Sequence, residues 1–127
     1  MERKTGRIRP VIKIFLAITV LIMQFPPTGY TASQTNVEIA MRHYNDGRYK
    51  EAMLTFGRTP KRELGEQAYV IWGLSAYRLG KFRSALLKFE QAYIRNPSNG
   101  DILNLMGDTH LKLGEPSKAL HILRKTE

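Results

Sequence analysis

Few side chains in this sequence could do chemistry on their own. Cysteine is absent from the 127 residues. That excludes a thiol nucleophile, a disulfide, a thiolate zinc site and an iron–sulfur cluster. Three histidines remain, His43, His110 and His121, and no two have the spacing of a helical zinc site. Ser75 and Ser84 have no base nearby in sequence and read as ordinary helix residues. Glu66 and Glu90 could meet as a carboxylate pair in principle, but nothing in the sequence brings them together. The chain also lacks a phosphate-binding glycine loop and a dinucleotide fingerprint. No catalytic residue, metal or cofactor is expected, and the sequence reads as a non-enzyme.

Cations are the other chemically active group. Lys and Arg number 20 against 11 Asp and Glu, a formal net charge of +9. Such an excess points towards nucleic acid or an anionic surface, depending on where the charges sit. Arg3, Lys4, Arg7, Arg9 and Lys13 form a basic head opposed only by Glu2. An apolar run from Ile14 to Met23 follows, then Pro26, Pro27 and Gly29. A basic head, a short apolar core and a Pro/Gly break are the pattern of a secretory signal peptide. The stretch from Val11 to Phe25 includes Lys13 and Gln24 and falls short of the ~20 apolar residues of a spanning helix. Because a lysine near the end of a span can snorkel, a retained anchor is the alternative reading. A buried N-terminal core helix is the third. Cleavage after Thr31 or Ser33 places small residues at both key positions.

Residues 1–32 are therefore expected to be a signal peptide or membrane anchor. The rest would be periplasmic, or would stay attached to the membrane outside the cytoplasm. Five of the 20 basic residues and one of the 11 acids lie in this segment, so the remainder keeps 15 against 10, a net +5. Arg58, Lys61 and Arg62 cluster at one place in that remainder, and Arg78, Lys81, Arg83 and Lys88 at another. They read as a solvated surface. With export, nucleic acid drops out as a partner, and an anionic polymer or lipid surface is the remaining electrostatic alternative.

What must position any site is a repeat. Gly73, Gly80, Ala85 and Leu86 recur 34 residues later as Gly107, Gly114, Ala119 and Leu120. Upstream, Gly47, Tyr49, Ala52, Met53 and Phe56 align with Gly80, Phe82, Ala85, Leu86 and Phe89 at a step of 33. Each unit reads as two helices. Tyr69, Trp72, Gly73, Ala76 and Leu79 mark the apolar face of one, and Gly80 ends it. Phe82, Ala85, Leu86, Phe89, Ala92 and Tyr93 mark the next, and Asn96-Pro97 stops it. Ser98, Asn99 and Asp101 offer caps for the helix after that, and Pro116 suits the first turn of the last one. Gly73 and Gly107 would let the second helix of each pair approach, with Ala85 and Ala119 facing back. A lone hairpin cannot bury its apolar face, so the hairpins must stack. His43 and His110 share one repeat position and read as packing residues.

This pattern resembles the tetratricopeptide repeat family over residues 33–127, in units of about 33–65, 66–99 and 100–127. Trp72, Gly73, Gly80, Phe82, Ala85, Phe89, Ala92 and Pro97 match the family pattern in the middle unit. Gly107, Gly114, Ala119 and Leu123 do so in the last. The first unit is degraded. Ala40 replaces the glycine, and Gly57 and Pro60 are expected to shorten its second helix and leave 57–65 irregular.

The resemblance implies an all-α solenoid, a right-handed superhelical stack of helix hairpins that scaffolds protein–protein interactions. Its first helices would line a peptide groove. Carried over by repeat position, the groove residues are Val37, Met41 and Tyr44, then Gln67, Val70, Leu74, Tyr77 and Arg78, then Asn104, Asp108 and Lys112. A two-carboxylate clamp is not expected, because Val37, Met41 and Ile71 stand where it needs basic or amide groups and Asp101 would repel a carboxylate. Tyr44, Leu74 and Tyr77 could equally pack between repeats. Small exported proteins of this kind usually act in envelope assembly, secretion or polysaccharide handling. No capping helix follows Leu123, so the apolar edge of the last helix is expected to be covered by a partner, by a second copy or by the N-terminal segment.

Overall fold

The computed structural model describes residues 35–126, and the segment assigned to export, 1–32, lies outside them. Six α-helices follow in order: α1 (Asn36–Asn45), α2 (Tyr49–Arg58), α3 (Glu66–Arg78), α4 (Phe82–Arg95), α5 (Gly100–Lys112) and α6 (Pro116–Leu123). No strand occurs among the described residues. Each hairpin packs on itself, α1 on α2, α3 on α4 and α5 on α6, and consecutive hairpins join through α2 on α3 and α4 on α5.

The glycines at the expected helix ends do what their spacing requires. Gly47, Gly80 and Gly114 have φ of 74°, 72° and 74°, the left-handed region that side chains avoid. At each one, the glycine N–H donates two helical residues back past the cap, to Tyr44, Tyr77 or Leu111, at 2.9–3.0 Å. The next residue's N–H donates to His43, Ala76 or His110, at 2.8–2.9 Å. This paired pattern satisfies carbonyls that a helix end leaves free and turns the chain straight into the second helix. Gly80→Ala is expected to cost about 1 kcal/mol, or a Tm loss of about 4–8 °C, from backbone strain alone. No atom lies within 4 Å of the position a Cβ would take there, so a thermal melt reads only the dihedral penalty.

The other ends follow their local chemistry. Asn99 caps α5, its side chain accepting from the Asp101 N–H at 3.1 Å. Pro116 takes the first helical position of α6. One boundary differs from expectation: α2 continues through Gly57 to Arg58, and the link runs from Thr59 to Gly65 with one 3-10 turn at Lys61–Glu63. Gly57 is tolerated in the last turn of α2, whereas Pro60 cannot continue it.

The helical glycine positions, Gly73 and Gly107, lie against the second helix of their own hairpin. A Cβ on Gly73 would stand 2.5 Å from Cε1 of Phe89, and one on Gly107 would stand 2.7 Å from Cδ2 of Leu123. The glycines therefore make room for the large residue of the second helix, whereas Ala85 and Ala119 are buried in their own right. Between the first two hairpins, Trp72 stacks on Phe56 with ring centroids 5.8 Å apart. It also lies 6.0 Å from the Tyr69 ring. Glu66 ties the start of α3 to the next link, accepting from Asn96 at 3.0 Å and from Asn99 at 2.5 Å.

Candidate functional site

Two surfaces of the stack offer binding features, one on each layer of helices. The first is carried by α1, α3 and α5. Along it, Val37, Met41, Val70, Leu74 and Tyr77 lie half-buried against the core, whereas Gln67, Arg78, Asn104, Asp108 and Lys112 are exposed. Tyr44 is half-buried and tilts against Tyr49 at the start of α2, with ring centroids 5.5 Å apart. Tyr77 repeats the contact with Phe82 at 5.2 Å, edge to face. The aromatic residues of this face are thus partly spent on the hairpin turn. What it presents freely is a polar row.

Tyr77 also reaches across to the next repeat, where its hydroxyl donates to the Asp108 carboxylate. That bond holds the phenol neutral and pushes its pKa up to about 12, with burial adding to the effect. Asp108→Asn removes the anionic acceptor and is expected to bring Tyr77 back towards the ordinary value near 10. A pH titration of the tyrosinate absorbance, compared between the two chains, checks this. If the two titrations coincide, the link does not form.

The second surface lies on the side of α2, α4 and α6, where two clefts open between successive repeats. The first cleft has a volume of about 400 Å³. Its apolar lining is Met53, Leu54, Trp72 and Leu79, and its polar lining is Lys50, Lys81, Ser84 and Lys88. The Lys88 ammonium sits 3.9 Å over the Trp72 ring, a cation–π contact. Burial lowers the Lys88 pKa, and the nearby Lys61 charge lowers it further. The neighbouring hollow continues along α4 past Lys61, Gln91 and Arg95. There the Arg95 guanidinium lies 4.2 Å over Tyr69 and donates to the Leu64 and Gln91 carbonyls.

The second cleft, about 520 Å³, occupies the equivalent place one repeat on. Its charges are mixed: Arg83, Glu90, Glu115 and Lys118 line it with His110. Glu115 meets His110 Nδ1 at 2.7 Å and Lys118 at 3.0 Å. The bonds from His110 and Lys118 hold the Glu115 carboxyl below its ordinary range.

Of the residues considered for catalysis, Ser75, Glu66 and His110 are engaged elsewhere. Ser75 is buried and donates to the Ile71 carbonyl at 2.8 Å. Glu66 is held by two asparagines, whereas Glu90 lines the second cleft. His110 is buried beside Glu115, and His43 is half-buried on α1. Among the described residues no three His, Asp or Glu side chains gather as a metal site. Sequence reasoning left Lys50 out and read Lys81 and Lys88 as solvated surface; the first cleft brings all three together.

Comparison with known proteins agrees with this geometry. The sequence model of the tetratricopeptide repeat matches residues 76–126. Among curated proteins no relative matches. A solved structure of MamA (AMB-1, crystal form P212121) has the same fold, with a TM-score of 0.64 at 18% sequence identity. The match covers 74% of this chain and 54% of that one, so this chain spans about half the length of that protein. The 34-residue spacing and the three glycine-capped hairpins carry the helix-hairpin repeat fold, and within it residues 76–126 match the tetratricopeptide repeat.

Proposed function

We propose that this chain is an exported scaffold that docks a protein partner in the cell envelope, in assembly or secretion. The observation that carries the docking role is the polar row Gln67, Asn104 and Asp108, exposed beside the half-buried apolar residues of α3 and α5. Such a face offers a polar rim around apolar contacts, as protein interfaces do. Support for export is the basic head and apolar run of residues 1–32.

Each part has its own test. For docking, wild type and a Gln67→Arg, Asn104→Arg variant are used to capture proteins from the native host. Both positions are exposed, so the variant keeps its core. A protein retained by wild type and lost by the variant supports the reading; identical captures contradict it. For export, N-terminal sequencing of the chain made in its own host should find a new terminus after Thr31 or Ser33, or an intact chain in the membrane fraction. An intact chain in the cytosol contradicts export.

Two further partners belong to this reading. A second copy would cover the exposed Leu111 and Leu120 of the last repeat, and sedimentation that stays strictly monomeric contradicts it. A membrane association would run through residues 1–32. The alternative function, a basic module for an anionic polymer or membrane surface, draws on the +5 charge beyond the export segment. Its binding should vanish by about 0.5 M salt, since electrostatic affinity falls steeply with ionic strength.

A further inference from the structure

We infer that the first inter-repeat cleft, between α2 and α4 over Trp72, is a second docking site that takes an acidic peptide segment carrying one apolar anchor residue. This deepens the scaffold reading and rests on it, but it uses the opposite layer of helices.

The two clefts share most of their repeat positions, one repeat apart. Lys50 corresponds to Arg83, Gly57 to Glu90, Lys81 to Glu115 and Ser84 to Lys118. In the second cleft Glu115 is met by His110 and by Lys118. In the first, Lys81 stands where the second has Glu115, and Gly57, the counterpart of Glu90 by repeat spacing, brings no acid to its edge. No carboxylate lines it, and among the described residues none pairs with Lys50, Lys81 or Lys88. Its charge therefore lacks an internal partner. Three ammonium groups with no counter-charge around an apolar floor create a positive field that an external carboxylate would relieve.

The shape narrows the ligand. Lys81, which caps α4, and Lys88 and Arg95 on α4 recur every seven residues, so they fall along one side of that helix. That stripe runs about 20 Å, the reach of roughly six extended residues. The floor of Met53, Leu54, Trp72 and Leu79 in a volume of about 400 Å³ accepts one buried side chain. A bare phosphate would leave that floor empty, and so would a polar polysaccharide. An extended peptide with an aromatic residue between acids fills both the floor and the rim.

The test uses the full chain and a labelled peptide of one Phe flanked by Asp and Glu, about six residues long. Lys81→Glu gives the first cleft the acid that the second cleft already carries at this position, so the fold should tolerate it. It is expected to weaken peptide binding about tenfold or more, since it removes an attraction and adds a repulsion. Lys50→Gln, also at an exposed site, should weaken it by about fivefold or less. A Phe→Ser peptide should bind more weakly than the Phe peptide. The Gln67→Arg, Asn104→Arg chain should bind as wild type does.

Four results would overturn the inference: no binding by wild type, binding unchanged by Lys81→Glu, equal binding of the Ser peptide, or stronger retention by phosphatidylglycerol vesicles or polyglutamate. Loss of the peptide only in the Gln67→Arg, Asn104→Arg chain would place it on the other layer. That result sinks this inference and leaves the scaffold reading standing. Peptide binding that depends on Lys81, with captures unaffected by Gln67→Arg, Asn104→Arg, would do the reverse.

Discussion

Gly73→Ala is expected to destabilise this protein by about 1–3 kcal/mol, although the same change inside a helix normally gains close to 1 kcal/mol. The added Cβ would stand 2.5 Å from Cε1 and 2.7 Å from Cδ1 of Phe89. No real contact is that short, and Phe89 is fully buried with nowhere to swing. Phe89→Ala should itself cost about 3–5 kcal/mol through the cavity it leaves. The informative chain is the double variant. With the ring gone, the new methyl group enters vacated space, so Gly73→Ala should then cost nothing or stabilise. Denaturant unfolding of the four chains gives the coupling directly. If the Gly73→Ala penalty persists without the Phe89 ring, this contact is not what holds the hairpin.

Position along the stack should decide how far a packing defect spreads. Ala52, Ala85 and Ala119 are buried at equivalent places, with 0%, 0% and 1% of their surface exposed. Ala85→Trp overfills the middle hairpin, which contacts both others, at a cost of several kcal/mol on the scale of severe overpacking. Because each repeat depends on its neighbours, the whole domain should lose its cooperative transition. Ala119→Trp overfills the end hairpin, and α1 to α4 should keep their helical signal. Far-UV circular dichroism melts separate the two cases. Equal damage from both variants would mean that the repeats do not behave as a linear stack, and near-normal melting of Ala85→Trp would mean that the helix register is wrong.

The hairpin order was legible in the sequence because backbone demands repeat with the chain. A left-handed residue at each helix end needs glycine, so Gly47, Gly80 and Gly114 announce themselves at fixed steps. Asn96-Pro97 and Pro116 mark limits for equally local reasons. Gly73 was recognisable as a close-approach site, but its partner was not. Spacing cannot say whether Ala85 or Phe89 fills the gap, since that depends on side-chain direction across two helices. Gly57 misled for a related reason: it is compatible with a last helical turn, and only Pro60 carries a hard stop.

The candidate surfaces were less readable. Tyr44 and Tyr77 look like groove residues by position, yet each rests on an aromatic ring of its own hairpin, which local periodicity does not reveal. The Tyr77–Asp108 link crosses 31 residues and depends on how far a phenol reaches between neighbouring helices. The lysine cleft did leave a signal. Aligning the repeats places Lys81 of the middle unit opposite Glu115 and Gly57 of the first unit opposite Glu90, two positions where an acid is absent around the first cleft. Net charge alone hid it, because a sum over the chain does not separate solvated lysines from Lys88 held over Trp72.

If this stack docks protein partners through defined faces, those faces should touch other proteins in the cell. Site-specific photo-crosslinking in the native host tests it most directly. The crosslinker is placed at Gln67 and Asn104 on one layer, at Ser84 in the first cleft, and at exposed Glu51 as the control. Discrete adducts with another protein are expected from Gln67, Asn104 and Ser84, and none from Glu51. The absence of any protein adduct at Gln67 and Asn104, or an indiscriminate ladder from all four positions, would contradict it.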